Sequence, residues 1–244
     1  PHHAVILVPH PMASRPAVEV EAVARAAFPR ILAALTASAP RPLSGAPSRR
    51  AGLEASRVEL PADIDAFTDA AEARGWSDGL PLIPPTEDRV ARLLEAVRLA
   101  PAAVLGVMPP RNGTVTAEKF AANAVMAGAK PLHAPLALAA VRAGLREEFN
   151  PGGIGVTTGG GTPLVIGNGP EARPAGVNGG TACFGSGYRA NAAVGRTLRL
   201  VMRNLGGGIP GEMKKSTQAF PAEYSFCTAE AEDESPWEPL HVEQ

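Results

Sequence analysis

The chain has 244 residues, a formal net charge of −1, and 45% hydrophobic against 19% charged residues. That balance excludes a disordered polymer, and the length buries a sizeable core as one large domain or two small ones. Near-neutral charge and 5% aromatic residues exclude a basic, base-stacking nucleic-acid surface, and no apolar run approaches the roughly 18 residues of a membrane span.

Glycine (26) and proline (25) are far above average usage. They show no G-X-Y period, so collagen is excluded and glycine-built loops are expected. Two cysteines argue against a disulfide scaffold and place the chain, by expectation, in the cytoplasm. The chain opens on Pro-His-His without an initiator Met and without the pattern of a signal peptide, and it reads as truncated upstream.

Residues 4–8 (AVILV) form an apolar, β-branched run that reads as a strand buried on both faces. Residues 17–35 carry a helical apolar stripe, with Pro29 expected to kink or split it. A lone strand and helix cannot form a domain, so residues 1–36 are expected to complete a Rossmann-like sheet supplied by a missing or partner segment. Residues 37–62 have linker composition. Residues 63–244 are the main α/β domain, expected to hold a glycine-rich mixed sheet with flanking helices.

Within that domain, residues 63–74 should be a helix. Thr86 is a good N-cap for a second helix that runs to about Leu99. Residues 104–107 suit a strand. Thr116 caps a helix over 117–127 that Gly128 stops, and Pro135 starts one over 135–149. Eleven of the 26 glycines then fall in residues 152–180. Strands are expected over 154–158 and 163–167, separated by Gly159-Gly160-Gly161, and a helix over about 188–204.

Three constellations are candidates for chemistry. The first is Gly185-Ser186-Gly187 opening the helix that carries Arg189, Arg196, Arg199 and Arg203. Glycine backbone N–H groups and a helix N-terminus suit an anion. No GxGxxG or GxxxxGK[ST] appears, and the rival reading is tight packing beneath a solvated arginine face. The second is the thiol pair Cys227 and Cys183. Cys227 has acidic sequence neighbours, which oppose a thiolate, and a buried strand position is the rival reading. Cys183 sits on the glycine loop. The third is the acidic tail, with Glu230, Glu232, Asp233, Glu234, His241 and Glu243. Glu230, His241 and Glu243 are the residues a metal ion would use, although no tight metal signature is present. The rival is a solvated tail lying against the cationic stretch 171–215. His133, before Ala134-Pro135, reads as a helix-start residue, and His2, His3 and His10 as terminal residues.

The segments GWSDGLPLIPPTEDRV, VLGVMPPRNGTVTAEKFAANAVMAGA, GTPLVIGNGP, FGSGYRANAAVGRTLRLVMRNLGGGIPGE and YSFCTAEAEDESPWEPLHVE, over about residues 63–243, resemble the bacterial domain that accompanies UGSC-type selenoproteins. The opening AVILVPHPMASRP resembles the last strand and helix of the UGSC domain, which is similar to the selenoprotein B component of glycine reductase. The resemblance implies that Arg189, Asn191, Glu118, Asn123, Cys227, the Glu230/Glu232 pair, Ser235-Pro236-Trp237 and His241 belong to the family pattern, and that Cys183 does not. It also implies that a thiol or selenol attacks a small substrate, the reactive motif (UGSC or CGSC) lying on a partner chain or missing segment.

Three functional expectations follow. One is an enzyme subunit with thiol-dependent reductase or lyase chemistry on a small polar or anionic substrate. In it, Cys227, His241 and Glu118 are catalytic, and Arg189, Asn191, Asn123, Ser186 and Gly187 bind substrate. The second is a metal-dependent hydrolase or hydratase, and the third a non-catalytic assembly subunit. An oligomer is expected, with neither nucleic acid nor membrane as partner.

Overall fold

The computed structural model describes residues 6, 8–9, 15–36, 56–170 and 172–243, without the side chain of Glu243. Most of the expected strand 4–8, the three N-terminal histidines and most of the expected linker lie outside the described residues. The chain divides into two compact units, Pro1–Gly52 and Leu53–Gln244. Among the described residues no helix is long and apolar enough to cross a membrane.

The first unit contributes helix α1 (Ala17–Thr36). Pro29 lies inside it and leaves the Arg25 carbonyl without its usual i+4 donor, yet the helix is not split. Arg15–Glu19 and Arg25–Glu21 ion pairs decorate its first turns.

The second unit is mixed helix and strand. Helix α2 (Ile64–Ala73) starts at Asp63, whose carboxylate accepts from the N–H groups of Asp65 and Ala66. Helix α3 (Glu87–Val97) follows Thr86, which occupies the N-cap but makes no side-chain cap bond. Strands β1 (Val104–Met108) and β2 (Gly113–Thr116) form an antiparallel hairpin. Thr116 caps helix α4 (Ala117–Met126) through Lys119 N–H, and Gly128 leaves it at φ +89°. Helix α5 (Ala134–Gly144) is shorter than expected, because a separate 3-10 turn covers Glu147–Phe149.

The expected strand over 154–158 is instead helix α6 (Pro151–Val156). Asn150 accepts from Gly153 N–H at its start, and Pro151 pre-sets the first helical φ. These start signals outweigh an apolar Ile-Gly-Val run that looks strand-like. Strand β3 (Val165–Gly167), helix α7 (Ala172–Ala175), helix α8 (Arg189–Asn204), strand β4 (Cys227–Ala229) and helix α9 (Leu240–Glu243) complete the order.

In place of one mixed sheet there are two small ones, β1-β2 antiparallel and β3-β4 parallel. The parallel pair registers Val165 with Cys227 and Gly167 with Ala229. Its crossover includes α7 and α8, so β3 and β4 end at the same edge.

Helices α3, α4, α5 and α8 surround the main core. Phe120, Met108, Val115, Val141, Val194 and Val201 are fully buried there. A second cluster packs Phe67, Ala71, Leu82 and Met126 against Leu200, so α8 serves both. Truncating Phe120 to Ala removes apolar burial of about 3–5 kcal/mol.

The approach of β4 to α8 depends on Gly195. A Cβ at that position would lie 2.4 Å from Ser225 Oγ, 2.8 Å from Phe226 N and 3.2 Å from Cys227 Cβ. Gly195→Ala is therefore expected to destabilise the second unit by about 1–3 kcal/mol through overpacking, despite the better helix propensity of alanine. Denaturant unfolding checks this, and an unchanged or higher midpoint would refute the close approach.

Candidate functional site

Parallel strands place their carboxyl ends, and the loops that leave them, on one edge, where ligand sites form in open α/β arrangements. Here that edge holds a cleft of about 300 Å³. Gly167 and Ala229, the last residues of β3 and β4, form its floor. Arg173 of α7, Asn178 and the tail carboxylates from Glu230 to Glu234 line its walls.

The floor is built by backbone pairing. Glu230 N–H donates to Gly167 O at 2.9 Å, extending the β3-β4 register by one step. Ala229 N–H donates to Asn178 O at 3.2 Å, which brings the glycine loop over the end of β4. Gly179 has to be small: a Cβ there would sit 2.4 Å from Ala229 O.

The loop is held by Asn191, in the first turn of α8 and 5% exposed. Its Oδ1 accepts from Asn178 N–H at 2.8 Å. Its Nδ2 donates to the carbonyls of Asn178, Cys183 and Cys227 at 2.9, 3.1 and 3.1 Å. Every donor and acceptor of the amide is occupied. Asn191 is thus a brace for the cleft rim and, although expected to bind substrate, does not line the cleft.

Along the tail, Glu232 is 11% exposed. Its Oε1 accepts from Gly169 N–H and lies 3.6 Å from His241 Nδ1, while Oε2 is 3.7 Å from Arg173. Arg173 also pairs with Asp233 at 2.8 Å. Glu230 accepts from Leu240 N–H at 3.0 Å and so holds the start of α9, which carries His241. His241 therefore faces Glu232 through Nδ1, and Nε2 has no hydrogen-bond partner among the described residues. An imidazole thus stands within ion-pair reach of a carboxylate, two groups suited to moving a proton.

The other expected site residues separate from this cleft. Cys227 is 3% exposed within the main core, and burial pushes its thiol up to about 12. A thiol so protonated is a poor nucleophile, and Cys227, expected to be catalytic, does not line the cleft. Glu118, on α4, pairs with Arg57 at 2.7 Å. Asn123 is 4% exposed, donates to Lys119 O and accepts from Asn204 at 2.8 Å, a link between α4 and α8. Arg189 donates from Nε and Nη2 to Gly128 O at 3.0 and 2.9 Å, bracing the exit of α4. Ser186 and Gly187 are exposed and do not line the cleft. Glu118, Asn123 and Arg189 hold the helical body together, away from the cleft lining.

The arginines of α8 are likewise engaged in the body. Arg196 makes a bidentate pair with Asp78 at 2.8 and 2.7 Å, both side chains about 12–13% exposed. Arg199 and Lys214 converge on Glu223, with Lys214 2% exposed and 2.5 Å from the carboxylate. An expected solvated arginine face is thus largely a set of inter-element pairs. His133 is a helix-start residue, as expected: its Nδ1 accepts from Lys130 N–H. Burial, with Arg189 and Lys130 adding to it, holds its pKa below the ordinary value.

Among the described residues no group of three or more His, Cys, Asp and Glu side chains is gathered as a metal site. Of the expected metal set, Glu230 is engaged with α9 and His241 with Glu232. Arg173 and Asn178 were not among the expected site residues. The signal that points to them is position, since both follow a strand ending at the cleft edge.

Two outcomes are expected at this site. Asn191→Ala leaves buried carbonyls unpaired and should cost about 2–4 kcal/mol, with amide exchange accelerating first in residues 178–183. Exchange that rises uniformly, or not at all, would contradict the bracing role. At pH 8 a thiol reagent should modify Cys183 rapidly and Cys227 only after unfolding. Because the folded Cys227 pKa is raised from 9.0 to about 12, its contribution to stability is complete below pH 9 and is lost as pH rises toward 12. Denaturation midpoints at pH 8 and pH 11 should therefore converge between wild type and Cys227→Ala.

No family model, curated protein or solved structure matches this chain.

Proposed function

We propose that this chain is the substrate-binding part of an enzyme acting on a small polar molecule held in the β3-β4 cleft, with His241 as its proton-transferring group. The observation that carries the reading is Glu232, which lines the cleft at the shared carboxyl edge of two parallel strands and faces both Arg173, at 3.7 Å on its wall, and His241, at 3.6 Å beside the lining. Arg173 is the cation on the wall and suits one anionic or carbonyl oxygen of a ligand. The surrounding carboxylates disfavour a multiply charged anion.

The thiol-dependent reductase or lyase chemistry implied by the resemblance to UGSC-associated domains enters this reading in one form. The attacking thiol or selenol belongs to a partner chain or segment with the UGSC or CGSC motif, because Cys227 is buried and protonated. In that division, this chain binds the substrate, orients it with Arg173 and supplies or removes a proton at His241 Nε2.

A thermal-shift screen of small carboxylates, amides and amines on the whole chain tests the reading. A ligand at 100 times its Kd stabilises by about 2.7 kcal/mol, which raises Tm by about 5–10 °C for a domain of this size. The shift should vanish in Arg173→Ala. In His241→Gln it should persist, while turnover in the presence of the thiol partner falls at least 100-fold. A ligand whose shift survives Arg173→Ala, or a screen without any shift, would overturn the assignment.

A further inference from the structure

A second cavity, of about 430 Å³, lies where α3 ends against α5. Its volume falls in the roughly 300–1,000 Å³ range of small-molecule sites. It shares no lining residue with the β3-β4 cleft. The end of α3 contributes Ala96, Val97 and Arg98, and α5 contributes Pro135, Leu138 and Arg142. Positions 135, 138 and 142 are spaced i, i+3 and i+7, so they form one stripe along α5. Leu138 is 6% exposed, while Arg98 and Arg142 are both exposed. Four apolar side chains thus meet two cations at the edge of the main core.

Arg98 stands where glycine is the usual residue. It closes α3 in the left-handed region, at φ 53° and ψ 42°. Its N–H donates to Glu95 O at 3.1 Å, and Leu99 N–H donates to Leu94 O at 3.3 Å, which fixes that conformation. A side chain in this region carries a steric cost that glycine does not. The chain bears that cost at a position whose side chain lines the cavity. Strain of this kind concentrates at ligand sites.

The charge at the cavity is unbalanced. Neither guanidinium makes a hydrogen bond or ion pair among the described residues. None of the six lining residues is acidic, and Glu95, in the turn before Arg98, is not among them. Beyond Arg142, Glu148 is committed to Arg146 at 3.1 Å. The β3-β4 cleft has the opposite balance, with Arg173 among Glu230, Glu232, Asp233 and Glu234.

We infer that the α3-α5 cavity binds a small phosphate monoester with an apolar body. Arg98 and Arg142 share the head group, and Val97, Pro135 and Leu138 take the body. A phosphate monoester carries a charge near −2 at neutral pH, which matches two unpaired cations. Arginine presents its donors as a fork that fits phosphate oxygens, and such charge-assisted bonds are among the strong ones. A singly charged anion leaves one of the two cations unmatched. Inorganic phosphate leaves the apolar wall uncovered.

Isothermal titration of the whole chain with phenyl phosphate tests this. Inorganic phosphate, which is the head alone, and phenol, which is the body alone, should each bind at least tenfold more weakly. Arg98→Gly and Arg142→Gln should each weaken phenyl phosphate at least tenfold. Arg98→Gly relieves the left-handed conformation, so it should unfold at or above the wild-type temperature, and lost binding is then not lost folding. Arg173→Ala alters the other cleft and should leave this affinity unchanged, which separates the two sites. A wild type that does not bind phenyl phosphate would overturn the proposal. So would an affinity that survives both arginine variants, one that is lost in Arg173→Ala, or one that phosphate or phenol equals.

Discussion

One side-chain amide and one missing side chain, a turn apart on α8, set the geometry on which the cleft depends. Asn191 joins the Cys227 carbonyl to the carbonyls of Asn178 and Cys183. Gly195 lets Ser225, Phe226 and Cys227 lie directly on the helix. Positions four apart share a helix face, so both act on the same strand. Without the amide, the glycine loop is tied to β4 only through the Asn178 carbonyl, which accepts from Ala229 N–H and Thr228 Oγ. With a Cβ at position 195, β4 could not reach the position from which it pairs with β3. A two-stranded parallel sheet is a weak unit by itself. Here it persists because α8, buried along most of its length, supports it from behind.

The polar residues divide by their degree of satisfaction. Asn191, Asn123, Arg189 and Arg196 spend their hydrogen-bonding capacity on other elements of the chain, and each links two segments distant in sequence. Their role is to hold the body in register. Lys214, Arg199 and Glu223 form a comparable junction, in which burial lowers the pKa of Lys214 while Glu223 opposes that effect. At the cleft the pattern differs. Arg173 and His241 stay partly open to solvent, each beside a carboxylate that does not bury it. A group that is held but accessible is the one available to a ligand.

Much of the helical body was legible in the chain itself. Asp63, Thr116 and Gly128 mark helix boundaries through local hydrogen bonding and backbone freedom, and α2, α4 and α8 lie within a few residues of their expected places. Residues 151–156 misled because glycine hides helical periodicity. The informative signal there was Asn150-Pro151, a capping residue before a residue with a restricted φ. The hairpin partner β2 was not expected, since Gly113–Thr116 is too short to show a period of two.

The site was legible only as a set of residue types. Composition and spacing determined that a glycine-rich loop, an arginine-bearing helix and an acidic tail with one histidine belong to this chain. Which of those side chains meet was decided by the tertiary structure. The contacts join Asn178 to Asn191, Arg173 to Glu232, and Gly169 to both Glu232 and His241. Glu232 and Gly169 are far apart along the chain, and they are neighbours because β3 and β4 pair in parallel. Pairing of that kind follows from the seating of β4 on α8, a long-range condition that local patterns of charge and hydrophobicity do not encode.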